Sequence, residues 1–462
     1  MTSRPKTAET RLPVLAFAAL VSSGVCLAPA CGSGEGESQA MGGTSGSADA
    51  GARNEPTGGS AAVMSVAGGS GAVATAGWSG GTSAVGGATS TGGVPSSGSE
   101  SAAGGAAPTD AECRVFLDPE GTDGPDCGST DAPCATLRAA YDILCPVPPD
   151  GTENGAECLG PAPRTLCARP GTYTMTERFE LRKTRMGTEA NPIIIEAAPT
   201  ATSKPVFDFS AQPRVAACGA QTDSEGGELT GITMNADWTV LRNVEVTDAN
   251  DNCIKVQGAH NRVEDVVVHD CDDAGIQISS GSGYANSGTN NTILNCDSYN
   301  NYDPQCFALN ADGFAVKTGT GVGNVFRGCR AWDNADDGWD LYAWTSPVRL
   351  ENCWAVNQCA TVEDTQSDCN GFTLGGNNIE TQHELVDLVA VGNTGGRMGV
   401  GFTQDTNPAS MTCEGTCVAW GNTTDFDTVG GITTGQFETL TADQLLGVER
   451  GPDGSLPTID TL

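Results

Sequence analysis

The chain has 462 residues and sets 57 Asp plus Glu against 23 Lys plus Arg, a formal net charge of -34 at pH 7. That balance excludes a polyanionic nucleic-acid partner. It also repels an acidic polysaccharide, unless a bound divalent cation inverts the local field.

Arg4, Lys6 and Arg11 precede the apolar run LPVLAFAALVSSGVCLAPAC, which ends at Cys31. Residues 1–31 therefore read as an export signal, broken by Ser22, Ser23 and Gly24 too early to span a bilayer. LAPAC resembles a bacterial lipoprotein cleavage site with Cys31 as the lipidated residue, and Ala28-Pro29-Ala30 fits an ordinary signal-peptidase site. Both readings stay open, and each predicts an extracellular or cell-surface protein whose membrane contact is at most an N-terminal lipid anchor. Residues 32–108 are Gly, Ser, Ala and Thr with GG recurring. Such a composition buries no core and behaves as a flexible tether, spanning about 50 Å by Gly-rich coil scaling.

From residue 109 the texture changes to apolar alternation punctuated by turn residues, leaving ample length for one large core. Seventeen of the 19 cysteines lie from Cys113 onward, as in an oxidising compartment. The odd number leaves at least one without a partner in the chain. CATLRAAYDIL predicts a short helix capping the open end of the domain, and RPGTYTMTERFEL and NPIIIEAAP predict its first strands.

A repeat follows. VLRNVEVTDANDNCIKV, VEDVVVHDCDDAGIQI, ILNCDSYNN, FRGCRAWDNADDGWDL, LENCWAVNQ, ELVDLVAVGN and GTCVAWGN share a column of Val244, Val266, Cys296, Cys329, Cys353, Leu388 and Cys417. Their spacings of 22, 30, 33, 24, 35 and 29 fit solenoid units with loop insertions. Asn301, Asn334, Asn393 and Asn422 recur five residues past the column, as a ladder in a turn would. The pattern predicts an all-β, right-handed parallel β-helix, expected as a monomer. The cysteine column reads as core filling, since a free Cys behaves as a small hydrophobe.

Aligning ADGFAVK, DDGWDLY and CNGFTLG on their Gly-aromatic pairs puts Asp312 one rung below Asp337, with Asp336 and Asp340 beside them. Rungs lie about 4.8 Å apart. A solvated turn explains one such Asp, but four carboxylates converging from two rungs form the hard, oxygen-only set that calcium takes. Without a cation, their pKa values would be driven upward.

NCDSYNNYDP, NADGFAVKTGTGVGNVFRGCRAWDNADDGWDLYAW, NGFTLGG and GFTQDTNPASM, in this order, resemble the calcium-dependent pectate lyases of polysaccharide lyase family 9. The resemblance covers most of residues 113–462 and implies a right-handed parallel β-helix. It also implies calcium ligands at Asp312, Asp336, Asp337 and Asp340, and β-elimination on a pectate-like acidic polysaccharide. A base removes the C5 proton of a galacturonate, while the cation stabilises the charge that develops. The family's lysine base stands in GFKLGG, where this chain reads GFTLGG with Thr373. Lys317 and Arg397 are the basic residues that the alignment brings near, and Lys317 reads as a carboxylate-binding group.

Other site chemistries are poorly supplied. A polygalacturonase would pair carboxylates such as Asp336 with Asp337 or Asp272 with Asp273, but its GHG and RIK motifs are missing. His260, His269 and His383 are scattered. The rival to an eliminase is a surface protein that binds uronate chains through calcium without cleaving them.

Overall fold

Strands of two to five residues, joined by tight corners and by longer loops, build the domain. The computed structural model describes residues 112–147, 156–214, 229–281, 286–360, 366–427 and 440–462. The chain divides into two units, Met1–Pro95 and Ser96–Leu462, and every described residue belongs to the second. The export signal, Cys31 and the tether lie outside the described residues.

The corners explain why the repeat folds as it does. Asn243, Asp265, Asn295, Gly328, Asn352 and Asp387 have φ between 49° and 64°. Each directly precedes a residue of the buried column. Asp248, Asp270, Asn300, Asp333 and Asn357 form a second set at 53° to 60°. Only Gly, Asn and Asp adopt this left-handed conformation readily, so their placement fixes where each rung bends. Among the described residues, the straight segments between corners stack into three parallel sheets. One has ten strands, from Val115–Leu117 to Cys413–Glu414, and the others have nine, from Thr172–Thr174 to Val418–Trp420 and from Phe179–Leu181 to Thr424–Asp427. The result is a parallel β-helix.

Inside the coil, side chains stack in files. Val244, Val266, Cys296, Cys329, Cys353, Leu388 and Cys417 are all fully buried. Cys296, Cys329 and Cys353 are free thiols, as core filling predicts, whereas Cys417 is bonded to Cys413. Phe314, Trp339, Phe372 and Phe402 form an aromatic file, with successive ring centroids 4.7, 4.8 and 4.8 Å apart. Gly371 precedes one of these rings because a Cβ there would meet the Gly401 carbonyl oxygen at 2.5 Å.

The asparagine ladder is present, and Gln358 fills the rung that the Asn recurrence skips. The Asn334 amide oxygen accepts from the Asn301 backbone N–H at 3.2 Å and from its side chain at 2.8 Å. Asn334 N–H donates to Gln358 Oε1 at 3.1 Å, Gln358 N–H to Asn393 Oδ1 at 3.0 Å, and Asn393 N–H to Asn422 Oδ1 at 2.9 Å. A second ladder through Asn261, Asn291 and Asn324 did not emerge from the sequence repeat. Because Asn334 is fully buried, Asn334→Leu leaves the backbone N–H of Asn301 without its acceptor. We expect a loss of about 1–3 kcal/mol in urea unfolding, and an unchanged midpoint would show that the ladder carries no stability.

Helix Leu137–Leu144 caps the N-terminal end as anticipated. Thr136 Oγ1 accepts from the Ala139 N–H, and the buried face of Leu137, Ala140, Tyr141 and Leu144 covers the first coil. Tyr141 meets Phe179 edge to face at 5.6 Å. Six disulfides join described residues. Among them, Cys253–Cys271 ties successive rungs and Cys359–Cys369 lies beside Asp336, whose carbonyl oxygen is 3.8 Å from Cys359 Sγ. The C-terminal segment brings Leu445, Leu456 and Ile459 onto Trp354, Val356 and Val391. Arg450 anchors that segment on Asp297 and the Gly328 carbonyl.

Candidate functional site

The aromatic file sets the register of the acidic residues. Phe314, Trp339 and Phe372 pair rung to rung, as do Ala315, Asp340 and Thr373. Two positions before each ring, Asp312, Asp337 and Asn370 therefore occupy one column. Asp337 N–H donates to Asp312 Oδ1 at 3.2 Å, and Asn370 N–H donates to Asp337 Oδ1 at 2.6 Å. Asp336 is held from both sides, accepting from Asn310 N–H at 2.8 Å and Asp368 N–H at 3.1 Å. Asp312, Asp336 and Asp337 each offer an oxygen, and these oxygens all lie within 4.8 Å of one another.

Lys317 reaches into this cluster from the rung of Asp312. Its ammonium stands 2.7 Å from Asp312 Oδ2 and 2.7 Å from Asp340 Oδ2. Asp340 accepts at its other oxygen from Tyr342 N–H at 2.9 Å. Asp312 is completely buried and Lys317 nearly so. Two of the four carboxylates thus share one ammonium.

The electrostatics follow from burial. Desolvation, with repulsion from Asp336, Asp340 and Asp312, holds the Asp337 carboxyl well above the usual range. Desolvation raises Asp312 strongly, against the opposing pull of Lys317. The same cause lifts Asp336 to about 6. Burial works to lower the Lys317 ammonium, but Asp312, Asp340 and Asp336 outweigh it and leave its pKa well above the ordinary value. Hard oxygens packed this closely in a buried site form a donor set suited to a divalent cation, which would relieve the repulsion between the ionised carboxylates.

Thr373 sits directly above Asp340 and is buried. Its hydroxyl donates to Asp337 Oδ2 at 2.5 Å and accepts from Asn370 Nδ2 at 3.0 Å. The position that the resemblance gives to a lysine is therefore occupied by a hydroxyl tied into the acidic cluster. Arg397 lies elsewhere. Its guanidinium is about two-thirds exposed and donates to Asp368 Oδ1 at 2.9 and 2.7 Å, so it is paired on the outer face.

Beside the cluster, a cleft of about 510 Å³ runs down the same sheet face. Lys317, Asp340, Tyr342, Asn310, Lys255 and Gln277 line it, together with Asp251 and Asp273. Gln277 and Lys255 belong to the column of Asp340, two and three rungs lower respectively. Burial and the nearby Asp251 lift Asp273 to about 7. Sequence reasoning missed this extension, although extending the Gly-aromatic alignment downward through Ile276 and Ile254 would have found it. Asp272 pairs with Arg214, and His269 with Asp270 and Glu245, which leaves these residues in the polar turn rather than in the cleft.

The family model described as "Pel9A-like, right handed beta helix region" matches residues 161–436. Pectate lyase L of Dickeya chrysanthemi is 34% identical over 255 residues, covering 54% of this chain and 55% of that protein. Pectate lyase L of Paenibacillus polymyxa is 34% identical over 260 residues, covering 54% of each. The chain thus spans about half the length of these curated relatives. The crystal structure of pectate lyase Pel9A superposes with a TM-score of 0.55 at 26% identity, covering 74% of this chain and 86% of that one. With a family model matched over more than half its length, and with the parallel coil that the model describes, this chain belongs to the Pel9A-like right-handed β-helix family.

Proposed function

We propose that this protein is an exported, calcium-dependent, pectate-lyase-like protein that acts on polygalacturonate or a related acidic polysaccharide by β-elimination. The observation that carries the reading is the convergence of Asp312, Asp336 and Asp337, with Asp340 linked to them through Lys317, at the end of an open cleft. The names of the relatives support the substrate class. The N-terminal signal, Cys31 and the Gly-rich tether would carry the domain to the cell surface and hold it off the envelope.

In this reading Asp312, Asp336, Asp337 and Asp340 hold the cation. Bound there, calcium would neutralise the uronate carboxylate and stabilise the charge developing as the C5 proton leaves. Asp336 is fixed by two backbone N–H groups and Asp337 by one, so these ligands are oriented before any ligand arrives. Lys317 supplies positive charge toward the cleft and serves as the group that receives a substrate carboxylate.

A second reading is favoured by Thr373. Its hydroxyl is engaged at both ends and is far too weak a base to take a C5 proton unaided. On that reading the scaffold binds uronate chains through calcium without cleaving them. The full chain incubated with polygalacturonate separates the two. Ultraviolet-absorbing unsaturated product that forms in calcium and not in chelator establishes the eliminase. Calcium-dependent retention by the polymer without product establishes the binder, and neither result overturns both.

A further inference from the structure

The ammonium of Lys317 occupies the two carboxylate oxygens that face each other across the rungs, one on Asp312 and one on Asp340, each at 2.7 Å. These residues belong to the proposed calcium set, so this inference rests on the calcium reading above. Calcium–oxygen bonds are about 2.3–2.6 Å long. An ammonium and a calcium ion sharing either oxygen would stand within about 5 Å of each other, at a site where burial leaves little water to screen them. Lys317 has somewhere else to go: it lines the cleft, beside Thr318 and Tyr342. Its side chain also contacts Asn310 Oδ1 at 3.4 Å, on the cleft wall.

We propose that Lys317 is the resident counter-ion of the cation-free cluster, and that cation binding exchanges it out of the cluster and into the cleft. The lysine bridges Asp312 and Asp340 within the crowded cluster when no metal is present. Once displaced, it presents its charge to the groove where a uronate carboxylate would lie. The exchange therefore couples the two ligands: the metal frees the lysine that the polymer needs, and a polymer holding that lysine clears the metal's oxygens. By linkage, each ligand raises the affinity for the other.

Two measurements on the full chain test this. Calcium titration by calorimetry should give a dissociation constant at least tenfold tighter for Lys317→Met than for the wild type, because the internal competitor is gone. In chelator, the same variant should melt at a lower temperature than the wild type. An affinity that is unchanged or weaker overturns the proposal. The second measurement avoids the variant: lysine acylation of the wild type, read by mass spectrometry, should label Lys317 slowly in chelator and at least severalfold faster in calcium. Equal labelling in the two conditions overturns the exchange even when calorimetry shows that calcium binds. If no calcium binds to either protein, the calcium reading itself has failed, so the two failures are distinguishable.

Discussion

Thr373→Lys should turn a slow or silent protein into an active lyase, with product formation on polygalacturonate rising about 10²–10⁴-fold, the usual contribution of a positioned general base. The position already has the geometry. Thr373 pairs with Asp340 across the rung, and its side chain points at Asp337. A lysine there loses the bonds to Asp337 and Asn370, but its amine lies beside the carboxylates that would hold calcium, and a neighbouring divalent cation lowers the pKa of an amine toward a useful range. The gain should vanish in chelator, where those carboxylates would instead keep the new amine protonated. A variant that folds, binds calcium and cleaves no faster than the wild type would show that position 373 is not where the proton is taken.

Asp337→Asn should abolish calcium binding while leaving the metal-free protein as stable as the wild type, or more so. Asp337 is buried, and its carboxyl is held far above the usual range by desolvation and by Asp336, Asp340 and Asp312. Ionising it therefore costs stability, and an amide of the same shape removes that cost. The amide can still accept from Asn370 N–H through its oxygen. We expect calcium affinity to fall at least 100-fold, about 2.8 kcal/mol, and the calcium-induced rise in melting temperature to disappear. A variant with unaltered calcium affinity would remove Asp337 from the ligand set.

Much of the architecture was legible because a β-helix writes the same sentence once per rung. The column through Val244, Cys296 and Leu388 and the Gly-aromatic pairs at Phe314, Trp339 and Phe372 gave the correct stacking, and with it the adjacency of Asp312 and Asp337. The asparagine recurrence was also visible, but Gln358 escaped because it performs the same hydrogen bonding with a different side chain. The C-terminal packing of Leu445, Leu456 and Ile459 has no repeat to announce it, since that segment lies across the outside of the coil. Disulfide partners such as Cys113 and Cys167, 54 residues apart, depend on which rungs become neighbours, and spacing alone does not contain that.

The site was legible to the level of columns and not to the level of side-chain direction. The column placed Lys317 on the cleft face, and only the folded geometry shows its ammonium between Asp312 and Asp340. Arg397, one rung above the site in the sequence alignment, is drawn away by Asp368, a nearer and partly buried carboxylate. Long, flexible cations go to the closest desolvated or partly buried anion, and a one-dimensional pattern does not rank those anions.

The most direct measurement is the migration of the wild-type full chain through a gel containing polygalacturonate, run in calcium and in chelator, with Asp337→Asn alongside. It tests calcium-dependent engagement of an acidic polymer whether or not a base is present. The wild type should be strongly retarded in calcium only, and the variant in neither condition. Retardation that persists in chelator, or free migration of the wild type in calcium, would contradict that engagement.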